Sequence, residues 1–265
     1  MELIAQLAVR EGLSVNDKSD PLSSEEDVEN LVELMSIFEC NNFPVTNELL
    51  DSLGNACVPL SGLANHSCLP NCVFTWENDQ KTNALVQVCR CLREIRKGEE
   101  LTHAYIDVAA SRAARRTLLL QRYNFECACH ACCPPSTDPC SPGRDYISDK
   151  ISDIATNART LERAVDACEW TAAESACSAL CAAYRRAYQP YHPLLGLQFY
   201  TLGDIRTQLE VGNGSDAAAR NGTLILGRQK EPRASASAAF KEAAAVLKVC
   251  FGASHRLTKN ALASI

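Results

Sequence analysis

Three short strings hold most of the residues in this chain that could do chemistry. They are Asn65-His66-Ser67-Cys68-Leu69-Pro70-Asn71-Cys72, the run from Gly98-Glu99-Glu100 to Tyr105-Ile106-Asp107, and the run from Tyr123 through Phe125 to Cys132. The last places Cys127, Cys129 and Cys132 in a C-x-C-x-x-C pattern. Three thiolates at that spacing can wrap one tetrahedral Zn²⁺, and a closed structural site needs a fourth ligand. His130 and Cys133 are local candidates for it, and three free thiols are the plain alternative. Tyr105 ends a strand-like run, where a phenol hydroxyl can align reacting groups or simply pack. His66, beside Asn65, reads in isolation as a loop residue bonding nearby backbone. Glu99-Glu100 reads as a solvated turn with a structural bond rather than a catalytic carboxylate pair.

Composition narrows the setting. The chain has 265 residues, enough for one large domain or two small ones, with 46% apolar and 22% charged residues. That is ordinary for a globular protein and too apolar for a disordered one. The net charge of −6 argues against direct nucleic-acid binding, which needs a basic footprint. Much of the acidity is local, since residues 1–40 hold ten acids against two bases. Fifteen cysteines are an unusual number in a chain too long to be a disulfide mini-scaffold. The first residues lack the basic and apolar regions of a secretory signal, and no run reaches 18 apolar residues. The expected compartment is therefore the cytoplasm or nucleus, with no membrane partner. Clustered cysteines there read as metal ligands before disulfides. Basic runs are only pairs, Arg115-Arg116 and Arg185-Arg186.

The elements that must position these residues follow from periodicity. Ser23 and Glu26 have capping-box spacing, and Val28, Leu31, Val32, Met35 and Phe38 continue as a helix over 23–39. Strands are predicted at 72–76, 84–89 and 101–105, with turns at Asn78-Asp79 and Lys97-Gly98-Glu99. A helix covers 110–123 and a Cys-rich knot 127–140, with prolines marking a boundary. Helices are predicted at 149–165, 171–188, 194–211, 215–227, 236–250 and from 254, with a polar loop or insertion over 220–237. Two helix starts look alike, at His192-Pro193 and Ser254-His255, which suggests a helical-repeat array. Cys89 and Cys91 read as strand packing, and Cys168, Cys177 and Cys181 as small core residues. The fold class is α+β: small sheets first, an all-α second half.

Taken together and in order, the three strings resemble the SET domain of protein-lysine methyltransferases, and more narrowly the SET-and-MYND (SMYD) family. The matching patterns are N-H-S-C-x-P-N, G-E-E-L-T-x-x-Y-I-D and Y-x-F-x-C-x-C-x-x-C, and the resemblance covers about residues 36–265. It implies a helical remnant of the SET insert over 1–40 and the C-terminal part of a SET domain, with a pseudoknot-like loop, over 41–109. A post-SET zinc segment over 110–140 and a TPR-like helical domain over 146–265 complete it. It implies protein-lysine N-methylation from S-adenosylmethionine, with Tyr105 catalytic and Tyr123 walling the lysine channel. Asn41, Asn65, His66, Tyr105 and Phe125 would bind the cofactor, Phe125 against its adenine. Cys68 would join Cys127, Cys129 and Cys132 on a structural Zn²⁺. The partners implied are a histone or non-histone lysine substrate and a chaperone or other protein on the helical domain.

The match has departures. Gly62 stands where the family usually has Ser, no G-x-G cofactor loop is present, and no MYND cysteine ladder precedes Cys40. The chain as read therefore holds about half a cofactor site, through truncation or through lost catalysis. The competing reading is a catalytically inactive, zinc-stapled scaffold that binds proteins through its helical repeats. A ubiquitin-ligase finger would need two sets of ligands, and a zinc deaminase needs motifs that are absent.

Overall fold

The computed structural model describes residues 25–79, 81–133, 151–212 and 234–265. Ser23 of the capping box, the end of the Cys-rich knot, the helix expected at 215–227 and most of the 220–237 loop lie outside these residues. The chain divides into two units, one of residues 1–45 and 52–63, the other of residues 46–51 and 64–265.

In the first unit, helix α1 (Glu25–Asn41) leads into strands β1 (Asn42–Thr46) and β2 (Ser52–Cys57), which pair as a two-stranded sheet. The last carbonyls of a helix lack intrahelical partners. Here Asn41 Nδ2 donates to the Ile37 carbonyl at 2.8 Å and Asn42 Nδ2 to that of Phe38 at 3.0 Å. Met35 and Phe38, which mark the helical spacing of α1, are exposed, whereas Phe43 on β1 is buried.

The second unit is built around two strand pairings. The short strands β3 (Asn65–His66) and β6 (Thr102–His103) run parallel, Asn65 opposite Thr102 and His66 opposite His103. Between them in sequence lies the antiparallel hairpin of β4 (Cys72–Asn78) and β5 (Leu85–Cys91). Alternation puts Val73, Thr75 and Glu77 on one face. Arg90 crosses to them, donating to Thr75 Oγ1 at 2.9 Å and to Glu77 Oε1 at 2.5 Å. The strand expected at 101–105 is confined to two residues, so Tyr105 lies just beyond it. Helix α2 (Arg112–Tyr123) follows, capped by Ser111 Oγ, which accepts from the Ala114 N–H. It ends at Asn124 in the left-handed conformation, which Asn tolerates.

Helices α3 (Ile151–Asp166), α4 (Trp170–Ala187), α5 (Pro193–Gly212), α6 (Ala234–Cys250) and α7 (Arg256–Ala263) pack in chain order, each on the next. Helix α6 begins at Ala234, two residues before the helix expected at 236–250, and so takes in the end of the loop expected over 220–237. The core is rich in small residues, with Ala173, Ala236, Ala239, Ala243 and Ala244 around Phe240 and Leu247. Cys177 and Cys181 join this core as expected. Cys168 instead is exposed, at a turn with φ 56°, and Cys89 and Cys91 are exposed on their strand. The two similar helix starts share one construction. His192 stacks on Tyr188 at 4.0 Å and His255 on Phe251 at 4.7 Å, each four residues upstream. Each His Nδ1 then accepts from the backbone N–H two residues on, at Leu194 and Leu257. Burial holds the His192 pKa down at about 4, so the ring stays neutral and can accept.

Two neighbouring residues on α5 give opposite tests. Replacing a helical Gly by Ala ordinarily stabilises by about 1 kcal/mol. At Gly203 a Cβ would stand 2.7 Å from the buried Phe240 ring, so Gly203→Ala should destabilise by about 1–2 kcal/mol in urea unfolding. Burial raises the Asp204 pKa to about 6. A carboxylate raised in the folded state penalises folding above that pH, and the penalty fades as pH falls from about 6 to 3.8. Asp204→Asn should therefore raise the melting temperature at pH 7 and leave it little changed below pH 4.

Candidate zinc and cofactor site

The thiols of Cys68, Cys127, Cys129 and Cys132 converge, with all four Sγ atoms within 4.8 Å of one another. Cys68 Sγ lies 3.6 Å from Cys132 Sγ. Four sulfurs about 2.3 Å from a tetrahedral Zn²⁺ stand roughly 3.8 Å apart, so the spacing fits this ion. The convergence comes from the fold. Cys68 follows β3, while the other three lie just past α2, in a loop where the Cys132 and Cys133 amides both bond the Cys129 carbonyl. Neither His130 nor Cys133 belongs to the cluster, and both are exposed.

The surroundings test the fit independently. Arg115, on α2, is wholly buried, its Nε donating to Cys68 Sγ at 3.2 Å and its Nη1 to the Ala110 carbonyl at 2.5 Å. Its Nη2 has no hydrogen-bond partner among the described residues. Burial works against the charge, but the bond to Cys68 and the fields of Cys68 and Cys132 outweigh it and raise the Arg115 pKa. A buried cation without a compensating anion is very costly. Four thiolates around Zn²⁺ carry a net charge of −2, and the guanidinium answers it. The thiols and their surroundings suit a tetrathiolate zinc site.

His66 ties this cluster to Tyr105. Its Nδ1 accepts from the Tyr105 N–H at 3.0 Å, and its Nε2 lies 3.3 Å from Cys68 Sγ. Burial lowers its pKa to about 4, so the ring is neutral. With Nδ1 accepting, Nε2 carries the proton and points it at the sulfur. Both ring nitrogens are thus engaged within the protein, and only the His66 backbone is left to serve a cofactor. Second partners of metal ligands of this kind fix ligand orientation.

Tyr105 sits in a ring cluster, with centroids 5.4 Å from His66, 4.8 Å from His103, 4.9 Å from Tyr123 and 6.4 Å from Phe125. Its hydroxyl donates to the Ala64 carbonyl at 2.8 Å, and burial raises its pKa, keeping the phenol protonated. Tyr123 Oη donates to the Tyr105 carbonyl at 3.4 Å. Asn65 is exposed and donates to Glu100 Oε1 at 2.6 Å. The structure thus brings Asn65, His66, Tyr105, Tyr123 and Phe125 into one neighbourhood. Asn41 belongs to the first unit, where a Cβ at Gly62 would lie 3.9 Å from its Oδ1 and leave room for a larger side chain.

Several supporting residues carried no signal of their role in sequence. Buried Asn71 bridges the motifs, its Nδ2 donating to the Glu100 carbonyl at 2.8 Å and its Oδ1 accepting from the Thr102 N–H at 2.8 Å. Glu99 is paired with Arg93 and accepts from the Arg96 N–H, which holds its pKa near 2. Asp107 accepts from the hydroxyl of Tyr188, at the end of α4, at 3.1 Å. Asn71 and Asp107 stood inside quoted motifs, whereas Arg115 looked like half of a short basic pair.

Residues 4–106 match the family model of the SET domain. The chain is 33% identical over 140 residues to human N-lysine methyltransferase SMYD2, covering 51% of this chain and 31% of that one. It is 32% identical over 133 residues to SMYD2-B of Xenopus laevis, covering 48% of this chain and 30% of that one. It is also 38% identical over 93 residues to mouse histone-lysine N-methyltransferase SMYD3, covering 35% of this chain and 20% of that one. Over these stretches the chain is similar to the SET domain and to the lysine methyltransferases SMYD2 and SMYD3. Its matched stretch spans less than a third of the length of these relatives. The family match reaches back to residue 4 and so includes α1.

If the guanidinium balances a zinc tetrathiolate, Arg115→Met should weaken zinc binding about tenfold to a hundredfold in competition with a chromophoric chelator. Cys127→Ser should lower the metal content from about one zinc per chain to near zero, read by elemental analysis.

Proposed function

We propose that residues 65–125 form part of the site of a protein-lysine N-methyltransferase that uses S-adenosylmethionine. The observation that carries this reading is the placement of Tyr105. Its backbone is held by His66, its hydroxyl by the Ala64 carbonyl, and its ring by Tyr123 and Phe125. The relatives' names state lysine methylation for those proteins and support the same chemistry here.

S-adenosylmethionine supplies a methyl group on a sulfonium, open to in-line attack by a neutral amine. Such a displacement needs alignment and polar groups more than proton traffic. The bond to Ala64 fixes the rotor of the Tyr105 hydroxyl and leaves its oxygen able to accept from an incoming lysine amine. The neutral phenol adds no charge that would hold the amine as ammonium. Tyr123 and Phe125 supply apolar walls that exclude water, and Asn65 and the backbone at His66 offer polar groups to the cofactor. The substrate is a lysine of a histone or non-histone protein, and the helical array α3–α7 is assigned to binding a further protein. We place the protein in the cytoplasm or nucleus.

With a complete cofactor site, isothermal titration with S-adenosylmethionine should show binding and a labelled methyl group should pass to lysine-containing protein; this chain by itself, with about half of that site, should transfer weakly or not at all. Tyr105→Phe should lower transfer by about a hundredfold or more while leaving zinc content unchanged. Transfer that survives this substitution would remove Tyr105 from the role. No binding of S-adenosylmethionine by the folded, zinc-loaded protein would favour the scaffold reading instead.

A further inference from the structure

Outside the zinc site, the β4–β5 hairpin gathers three more cysteines on one face. The register puts Cys72 opposite Cys91 and Phe74 opposite Cys89. One residue earlier, the Leu92 N–H bonds the Asn71 carbonyl at 2.8 Å, so positions 71 and 92 form a hydrogen-bonded pair. Such pairs alternate along an antiparallel ladder, which makes Cys72 and Cys91 a non-hydrogen-bonded pair. Cα atoms there stand about 4.5 Å apart with their side chains drawn together. A disulfide accepts Cα separations of about 4.4–6.8 Å. Cys89 is diagonal to Cys72, at about 7–8 Å, beyond that range.

We propose that Cys72 and Cys91 are a redox-modifiable thiol pair that closes to a cross-strand disulfide in the presence of a small disulfide such as oxidised glutathione. The two members have different exposure: Cys91 is exposed, while Cys72 is 2% accessible. Cys91 therefore meets the oxidant first. Its thiolate attacks one sulfur of oxidised glutathione, giving a mixed disulfide and releasing one glutathione thiolate. The Cys72 thiolate then attacks the Cys91 sulfur and releases the second. The two protein sulfurs are oxidised, one glutathione disulfide is reduced to two thiols, and the two protein protons end on those thiols. Burial pushes the Cys72 thiol up to about 12, which makes the second step the slow one. The bond would staple the hairpin next to Asn71, the residue that holds the backbone of Glu100 and Thr102.

Trypsin cuts after Lys81, Arg90 and Arg93, so Cys91 leaves as the tripeptide Cys91-Leu92-Arg93 and Cys89 leaves on the separate peptide Thr82–Arg90. The full chain, incubated with oxidised glutathione at mildly alkaline pH and digested without reduction, should yield the tripeptide linked to the peptide ending at Lys81. Fragmentation should place the link at Cys72 rather than at Cys40, Cys57 or Cys68. The Cys89→Ser protein should give the same product, and Cys72→Ser should give only a glutathione adduct of the tripeptide. A wild-type digest with that adduct alone, or with the tripeptide joined to Thr82–Arg90 or to another cysteine, would overturn the proposal. The peptide link is read without reference to methyl transfer, so its outcome is independent of the proposed function.

Discussion

The contact on which the site depends is the hydrogen bonding to one sulfur, that of Cys68. Three elements meet there: the loop after β3 that carries the cysteine, helix α2 through the Arg115 guanidinium, and the post-helix loop through Cys132. His66 adds a fourth tie, because the ring that faces Cys68 also holds the Tyr105 amide. A thiolate in a buried pocket is unfavourable unless cations and donors surround it. Arg115 and His66 provide part of that environment, and a Zn²⁺ held by the four thiols would complete it. Tyr105 is thereby positioned by the metal site at a distance of two hydrogen bonds, although it ligates nothing.

Around this centre the support is polar on one side and apolar on the other. Asn71 stitches the N-H-S-C segment to the Glu100–Thr102 backbone, and an amide left only 2% accessible is tolerated when both its ends are bonded. On the other side Val108, Leu119, Ala187 and Tyr188 close over the thiols. Ala187 and Tyr188 come from the end of helix α4. The helical array therefore contributes directly to the core around the metal ligands and, through Tyr188 and Asp107, to the segment that carries Tyr105.

Much of this was legible in the sequence for a definite reason. Thiol spacing, the hairpin and the helices are local patterns, and residues 72–76, 84–89 and 110–123 fold as their periodicity implies. The joining of Cys68 to the other three thiols came from family resemblance, since a partner some sixty residues distant leaves no local trace. The two-residue strand β3 and the β1–β2 sheet were missed because so short a run has no period to read. Arg115 was invisible for another reason. An arginine on an Ala-rich helix looks solvated, and only tertiary structure places it against sulfur. The exposure of Cys89 and Cys91 likewise depends on what covers the hairpin, which alternation cannot say.

The parallel pairing of β3 with β6 bears on how the chain reaches this state. Parallel strands cannot be joined by a tight turn, and here the whole β4–β5 hairpin is inserted between the partners. The hairpin closes locally, within microseconds for such a unit, and shortens the loop that remains. Closure of β3 on β6 must then wait for that loop to be spanned, at an entropic cost that grows with its length. Zinc captured by the three adjacent thiols first, and by Cys68 last, would register the moment at which Tyr105 reaches its place.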